Sequence, residues 1–231
     1  MPKFSNSSFA EMLPERDAHG REHPASTREL LIEFELRAPA IRKRLQEFSA
    51  VPASEYFHEL LYCLLTPQTS AVACAAGVEK LREQGFAFRD FDPEPLLRGT
   101  GKGDYIRFHR TKSRNLLEAK LRFAEIEKEL NSSDDVARLR LWLVENVKGL
   151  GMKEASHFLR NTGRTGVVIL DRHILRNMVR YSVIESVPKS MTPGRYLDLE
   201  RRFKEFARAL GMLPDELDLF WWSQETGFIL K

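Results

Sequence analysis

The chain has 231 residues, 42% of them hydrophobic and 30% charged, so it can bury a substantial core and is too apolar for a disordered segment. No apolar run approaches the roughly 18 residues of a membrane span, and two cysteines, Cys63 and Cys74, cannot build a disulfide framework or a four-cysteine metal site. The formal net charge is only +3, yet 101–120 holds six Lys/Arg against two Asp/Glu and 148–180 holds seven against two, clusters that suit a polyanion or simply solvated helix faces.

Residues 1–26 are polar, with no clear periodicity, and read as a loose N-terminal arm. They lack an apolar core of signal-peptide length, so an intracellular, cytoplasmic protein is expected. Thr27 is placed to cap a helix carrying Leu30, Leu31 and Phe34, which should end or kink before Pro39. Ser54 can cap an apolar helix through Leu65, the turn 66–70 interrupts it, and an Ala-rich helix follows to about Gly85. A basic helix is predicted from Tyr105 to Leu130, then one capped by Asp134 or Asp135 with Leu139, Leu143 and Val147 on one side. Thr192-Pro193 starts a helix that stops at Gly211, and Pro214 opens a last helix that ends at Gly227. The one strand-like run, 167–170, is too short to found a sheet, so the fold class is all-α.

Two segments carry chemistry. In the first, a turn with Gly149, Leu150 and Gly151 feeds a helix that starts near Lys153. Such a turn aims backbone N–H groups outward, a ready phosphate site. A lysine at a helix N-terminus is placed where the dipole disfavours an ammonium, and a Schiff-base nucleophile works as the free amine. An ordinary αα-hairpin with a solvated lysine accounts for these residues equally well. In the second segment an apolar run, 167–170, delivers Asp171 to a helix bearing Ile174, Leu175 and Met178. Alone, that is an N-cap worth about 1 kcal/mol.

Together the segments resemble a family. Lys148-Gly-Leu-Gly-Met-Lys-Glu-Ala-Ser-His-Phe-Leu-Arg-Asn161 and Ile169-Leu-Asp-Arg-His-Ile-Leu175, with Asp171 following Lys153 by 18 residues, resemble the helix-hairpin-helix DNA glycosylases, and within them the type-2 8-oxoguanine DNA glycosylase/AP lyases. Leu64-Leu-Thr-Pro-Gln-Thr-Ser70 resembles the segment these enzymes insert into DNA, and the chain ends on a lysine as type-2 members do. The cysteine-rich cluster of the endonuclease III branch is absent.

The resemblance implies two helical subdomains with the active site in the cleft between them. The glycosylase domain would cover 27–231 and the helix-hairpin-helix about 139–162, with the N- and C-terminal helices in one subdomain and the middle helices in the other. It implies base excision repair: 8-oxoguanine is flipped out and removed through a Schiff base on Lys153, Asp171 stabilises charge at the sugar, and β-elimination nicks the strand. Gly149, Leu150 and Gly151 would hold DNA phosphate, Gln68 would fill the vacated space, and Trp222, Phe108 and Lys231 would form the base pocket. The apolar Phe228, Ile229 and Leu230 should pack the tail and fix the terminal carboxylate of Lys231, an acceptor suited to the N7–H that distinguishes 8-oxoguanine from guanine. His157 and His173 should pack or orient neighbours. This chemistry requires no cofactor and no metal, and the hairpin has room for a monovalent cation. The expected partner is double-stranded DNA with 8-oxoguanine or abasic sites, bound by a monomer, with no membrane involved. Two other readings fit less closely: a glycosylase for oxidised pyrimidines or another purine lesion, and a non-catalytic helix-hairpin-helix DNA-binding protein, which would need neither Lys153 nor Asp171.

Overall fold

The computed structural model describes residues 26–99, 101 and 103–229. The expected N-terminal arm, Ser26 apart, and the terminal Lys231 therefore lie outside the described residues. Eleven α-helices follow in order: α1 Thr27–Ser49, α2 Tyr56–Leu65, α3 Ala71–Glu83, α4 Glu94–Arg98, α5 His109–Leu121, α6 Phe123–Leu130, α7 Val136–Asn146, α8 Met152–Asn161, α9 Arg172–Arg180, α10 Pro193–Ala209 and α11 Pro214–Thr226. A single 3-10 turn, Ala53–Glu55, precedes α2. The described residues contain no strand, and no described helix is long and apolar enough to cross a membrane. The fold is all-α.

Several boundaries follow the side chains named from sequence. Asp135 caps α7 and accepts from the Arg138 N–H, Thr192 caps α10 ahead of Pro193, and Gly227, at φ +79°, ends α11 in the left-handed region. Others differ. Ser26, not Thr27, caps α1, and α1 continues through Pro39 to Ser49. Pro39 is solvent-exposed, so water can satisfy the carbonyl it leaves unpaired, while Leu30, Phe34, Ala38, Ile41 and Phe48 keep one face buried along the helix. Ser54 sits inside the 3-10 turn, and no side chain caps α2. The basic stretch breaks at Arg122 into α5 and α6, and α4 has no counterpart in the sequence reading.

The buried apolar residues form two clusters. One gathers α2 through α7 and takes Ala155, Phe158 and Leu159 from α8. The other joins α1, α9, α10 and α11 and takes Met152 from the first turn of α8. Helix α8 is thus packed on both sides, and its first turn lies at the seam between the two halves. A buried ion pair also crosses the seam: Arg140 on α7 donates twice to Glu200 on α10, at 2.7 and 2.8 Å.

Candidate active site

The hairpin is built from packing and one glycine. After α7, Val147 and Leu150 turn their side chains into the core and hold the turn down from both ends. Gly149 between them takes φ +96°, and a Cβ there would lie 2.4 Å from Asn115 Nδ2 and 3.2 Å from Leu64 Cδ2. Only glycine fits. Gly151 then begins α8, and its N–H donates to Glu154 Oε2 at 3.3 Å. The Leu150 N–H donates to the Val147 carbonyl at 3.1 Å. Of the three residues expected to hold a phosphate, Leu150 and Gly151 thus have their amides engaged within the turn. The donors that lack an intrahelical partner belong one step further on, to the first turn of α8.

That first turn carries Lys153. Its Nζ lies 3.0 Å from Glu154 Oε1, and its side chain is 29% exposed. Glu154 thus ties the hairpin amide with one oxygen and the lysine with the other. Sequence reasoning passed over it, although a Glu three residues after an N-cap is a recognisable capping signal.

Asp171 is delivered quite differently. The segment before it is irregular and pairs with no strand, so its backbone donors need other partners. Side chains supply them. Gly166 N–H donates to Asp215 Oδ2 at 3.5 Å, Val168 N–H to Glu200 Oε1 at 2.8 Å, Ile169 N–H to Asp218 Oδ2 at 2.9 Å and Leu170 N–H to the Tyr196 hydroxyl at 3.1 Å. The Tyr196 hydroxyl in turn donates to the Val168 carbonyl at 2.6 Å. At the end of this rail, Asp171 Oδ1 accepts from the N–H groups of His173, 2.7 Å, and Ile174, 2.9 Å, capping α9. His173 lies beside Glu225, Nδ1 to Oε2 3.5 Å, and His157 packs edge-on against Tyr62.

Lys153 and Asp171 face the same cleft, a cavity of about 1160 Å³ between the two halves. Gln68 lines it from the turn after α2, and Trp222 and Phe228 from the end of α11. The adjacent Trp221 is core, stacked on Tyr181. Phe108 is a correction: it precedes α5 with φ +59°, 49% exposed beneath the Arg107 guanidinium, and does not line the cleft, whereas Arg107 does. The tail divides as well. Ile229 packs on the second cluster, but Phe228 is 64% exposed at the cleft, because the chain leaves α11 through the sharp turn at Gly227.

Three charged groups have a different place from the one their sequence neighbourhood suggests. Lys112 and Arg160, each part of a basic cluster, are buried and cannot belong to an exposed polyanion face. Arg160 lies over the Phe48 ring at 4.8 Å. Asp218 interrupts the apolar run of α11, lines the cleft, and is fully buried. Burial pushes its pKa up to about 7; Arg160 opposes that, and the negative charge of Asp171 adds to it. An acid inside an apolar helical run was the signal for Asp218; Lys112 offered none. The described residues contain no group of three or more His, Cys, Asp or Glu arranged to hold a metal.

Comparison with known proteins agrees with this architecture. Residues 41–212 match the sequence profile of the family described as 8-oxoguanine DNA glycosylase. The chain is 38% identical over 192 residues to an 8-oxoguanine DNA glycosylase/AP lyase of Korarchaeum cryptofilum, covering 83% of this chain and 90% of that one. The crystal structure of the Thermotoga maritima 8-oxoguanine DNA glycosylase superposes with a TM-score of 0.77 at 31% identity, covering 89% of this chain and all of that one. The Methanocaldococcus jannaschii 8-oxoguanine glycosylase/lyase, in complex with a 15mer DNA containing 8-oxoguanine, superposes with a TM-score of 0.76 at 32% identity, covering 88% and 100%. By the length of these matches and the fold they share, the chain belongs to the 8-oxoguanine DNA glycosylase family.

Proposed function

We propose that this protein is a bifunctional 8-oxoguanine DNA glycosylase and AP lyase, a base-excision-repair enzyme acting on double-stranded DNA as a monomer. The observation that carries the reading is the meeting of Lys153 and Asp171 in one cleft, each fixed by a separate half of the molecule. The flipped nucleotide enters that cleft after unstacking, which costs a few kcal/mol. Gln68, exposed on its turn, fills the space left in the duplex, and Trp222 offers the base a stacking face.

Lys153 must lose a proton before it can attack. Glu154, already 3.0 Å from Nζ, is the carboxylate within reach of it. The amine then forms a bond to C1′ as the glycosidic bond breaks, and the bond's electron pair leaves with the base, which takes up a proton. Asp171 holds its Oδ1 on the α9 amides and presents the rest of its carboxylate to the positive charge that develops at the sugar. Opening of the sugar ring gives a Schiff base, loss of a C2′ proton expels the 3′ phosphate, and the strand is nicked. No step draws on a cofactor. The first turn of α8 and the basic side chains of the cleft rim hold the DNA backbone, so binding weakens with salt.

Borohydride trapping on a duplex with a single 8-oxoguanine tests the reading. Wild-type protein should give a covalent protein–DNA adduct, and Lys153→Gln should give none while still binding the duplex. A panel of oxidised purines and pyrimidines in the same assay ranks the lesions. A protein that binds every duplex and traps on none would be a binding module instead.

A further inference from the structure

Lys112 is the most deeply buried lysine among the described residues and has no part in the chemistry above. It is 4% exposed, and its ammonium meets three oxygens: the Leu65 carbonyl at 2.6 Å, the Pro67 carbonyl at 2.7 Å and Thr69 Oγ1 at 2.9 Å. All three belong to the end of α2 and the turn that follows, the turn that presents Gln68. Three ammonium hydrogens meet three acceptors, so the turn closes around Nζ much as it would around a bound cation.

The turn needs such a hold. Gln68 lies at φ +55°, a left-handed conformation that a side-chain-bearing residue adopts only at a cost. The Thr69 N–H closes the turn on the Thr66 carbonyl at 3.1 Å, and the Thr66 hydroxyl bonds back to the Cys63 carbonyl at 2.8 Å. Those local bonds fix the turn's shape but not its tilt against the body. Lys112 supplies the tilt from a separate helix. Three residues further along α5, on the same face, the Asn115 amide occupies the space above Gly149 in the hairpin. One face of α5 therefore sets the Gln68 turn against the Lys153 hairpin.

We propose that Lys112 is a positioning residue for lesion recognition, its ammonium holding the 66–70 turn in the conformation that drives Gln68 into the duplex while Lys153 faces the extruded nucleotide. This rests on the glycosylase reading and deepens it. Losing one proton leaves two hydrogens for three oxygens, so the turn loosens when Lys112 becomes neutral. Burial pushes its pKa down to about 8; around it, Glu154 on α8 favours the ammonium, Lys153 on α8 opposes it, and Cys74 on α3 would favour it only as a thiolate. The thiol of Cys74 is itself pushed up to about 12 by burial, so it stays neutral through this range.

An abasic nucleotide has no base to unstack, so it depends less on insertion of Gln68 than 8-oxoguanine does. The informative quantity is the ratio of single-turnover rates, excision of 8-oxoguanine over cleavage of a preformed abasic site in the same duplex. We expect that ratio to fall several-fold in wild-type protein between pH 7 and pH 9. Lys112→Met should lower it at least about tenfold at pH 7 and flatten its pH dependence. In a Gln68→Ala background, Lys112→Met should add little, because both act through one turn. Equal loss on both substrates, full additivity with Gln68→Ala, or a ratio in the wild-type protein that is flat from pH 7 to 9 would overturn the proposal. If Lys112→Met does not fold, the wild-type pH profile decides alone. Wild-type protein that acts on neither duplex at any pH would instead refute the glycosylase reading, whatever Lys112 does.

Discussion

The two residues that meet in the cleft are held there by opposite means. Lys153 stands at the end of a turn stabilised by apolar anchors, Val147 and Leu150, and by a glycine whose missing side chain leaves room for Asn115 and Leu64. Asp171 stands at the end of an irregular segment whose amides are bonded by buried acids and a tyrosine from α10 and α11. The first site is shaped by what is absent at one position, the second by what is supplied from far along the chain. A hydrophobic hold is insensitive to pH, whereas a rail of buried carboxylates is not. The two halves of the active site should therefore fail under different conditions.

Removing a rung of the rail should have the largest effect. Glu200→Ala strips the Val168 amide of its acceptor and leaves Arg140 as a buried unpaired charge, a loss of about 3–5 kcal/mol. Urea unfolding checks this, and a loss under 1 kcal/mol would mean that the segment does not depend on its acids. Asp171→Asn should come next. Asn caps as well as Asp, so the melting temperature should hardly move. Excision should nevertheless drop about 100-fold or more, measured in single turnover, if the carboxylate charge acts on the sugar. An active variant would reduce Asp171 to a helix cap.

The hairpin side of the comparison is probed by Gly149→Ala. Strain at φ +96° and the contact with Asn115 should together cost about 1–3 kcal/mol, with the same loss at pH 5 and pH 8. Adding Asn115→Ala should recover the part due to contact and leave the part due to φ.

The smallest effect is also the most diagnostic. Asp218 has its pKa pushed up to about 7 by burial, so the folded protein holds a proton there that the unfolded chain gives up from about pH 4. That contribution to stability is present at low pH and lost as pH rises towards 7. Glu200 has the opposite sign. Burial pushes its pKa up, but the paired Arg140 outweighs that and holds it below the ordinary carboxylate range. Its contribution is lost as pH falls through that range. Asp218→Asn keeps an acceptor for the Ile169 amide and cannot ionise, so its melting temperature should rise relative to wild type between pH 5 and pH 8. A constant difference across that interval would show that Asp218 does not titrate in the folded protein.

Much of this was legible along the chain. The caps at Asp135 and Thr192, the stop at Gly227 and the hairpin glycines follow from patterns within a few residues, and the Lys153–Asp171 pair from the resemblance to the helix-hairpin-helix glycosylases. The boundaries that differ are local signals overruled by packing: Pro39 predicts an end or a kink, and the helix does not end there because the buried face of α1 carries it through. The resemblance puts Phe108 in the base pocket, whereas the structure has it 49% exposed and outside the lining of the cleft.

The sequence by itself determined an all-α chain and the positions of most helix ends, because hydrogen bonding of caps and turns is short-range and leaves its mark within one helical turn; Lys153 and Asp171 were singled out by the family resemblance. Only the tertiary structure decided which charges are interior. Lys112 and Arg160 look no different in sequence from solvated neighbours, Asp218 is marked only by the apolar run around it, and the roles of all three arise from oxygens, rings and amides contributed by distant segments. A buried polar group is stable only where its partners converge, and that convergence is a property of the folded chain alone.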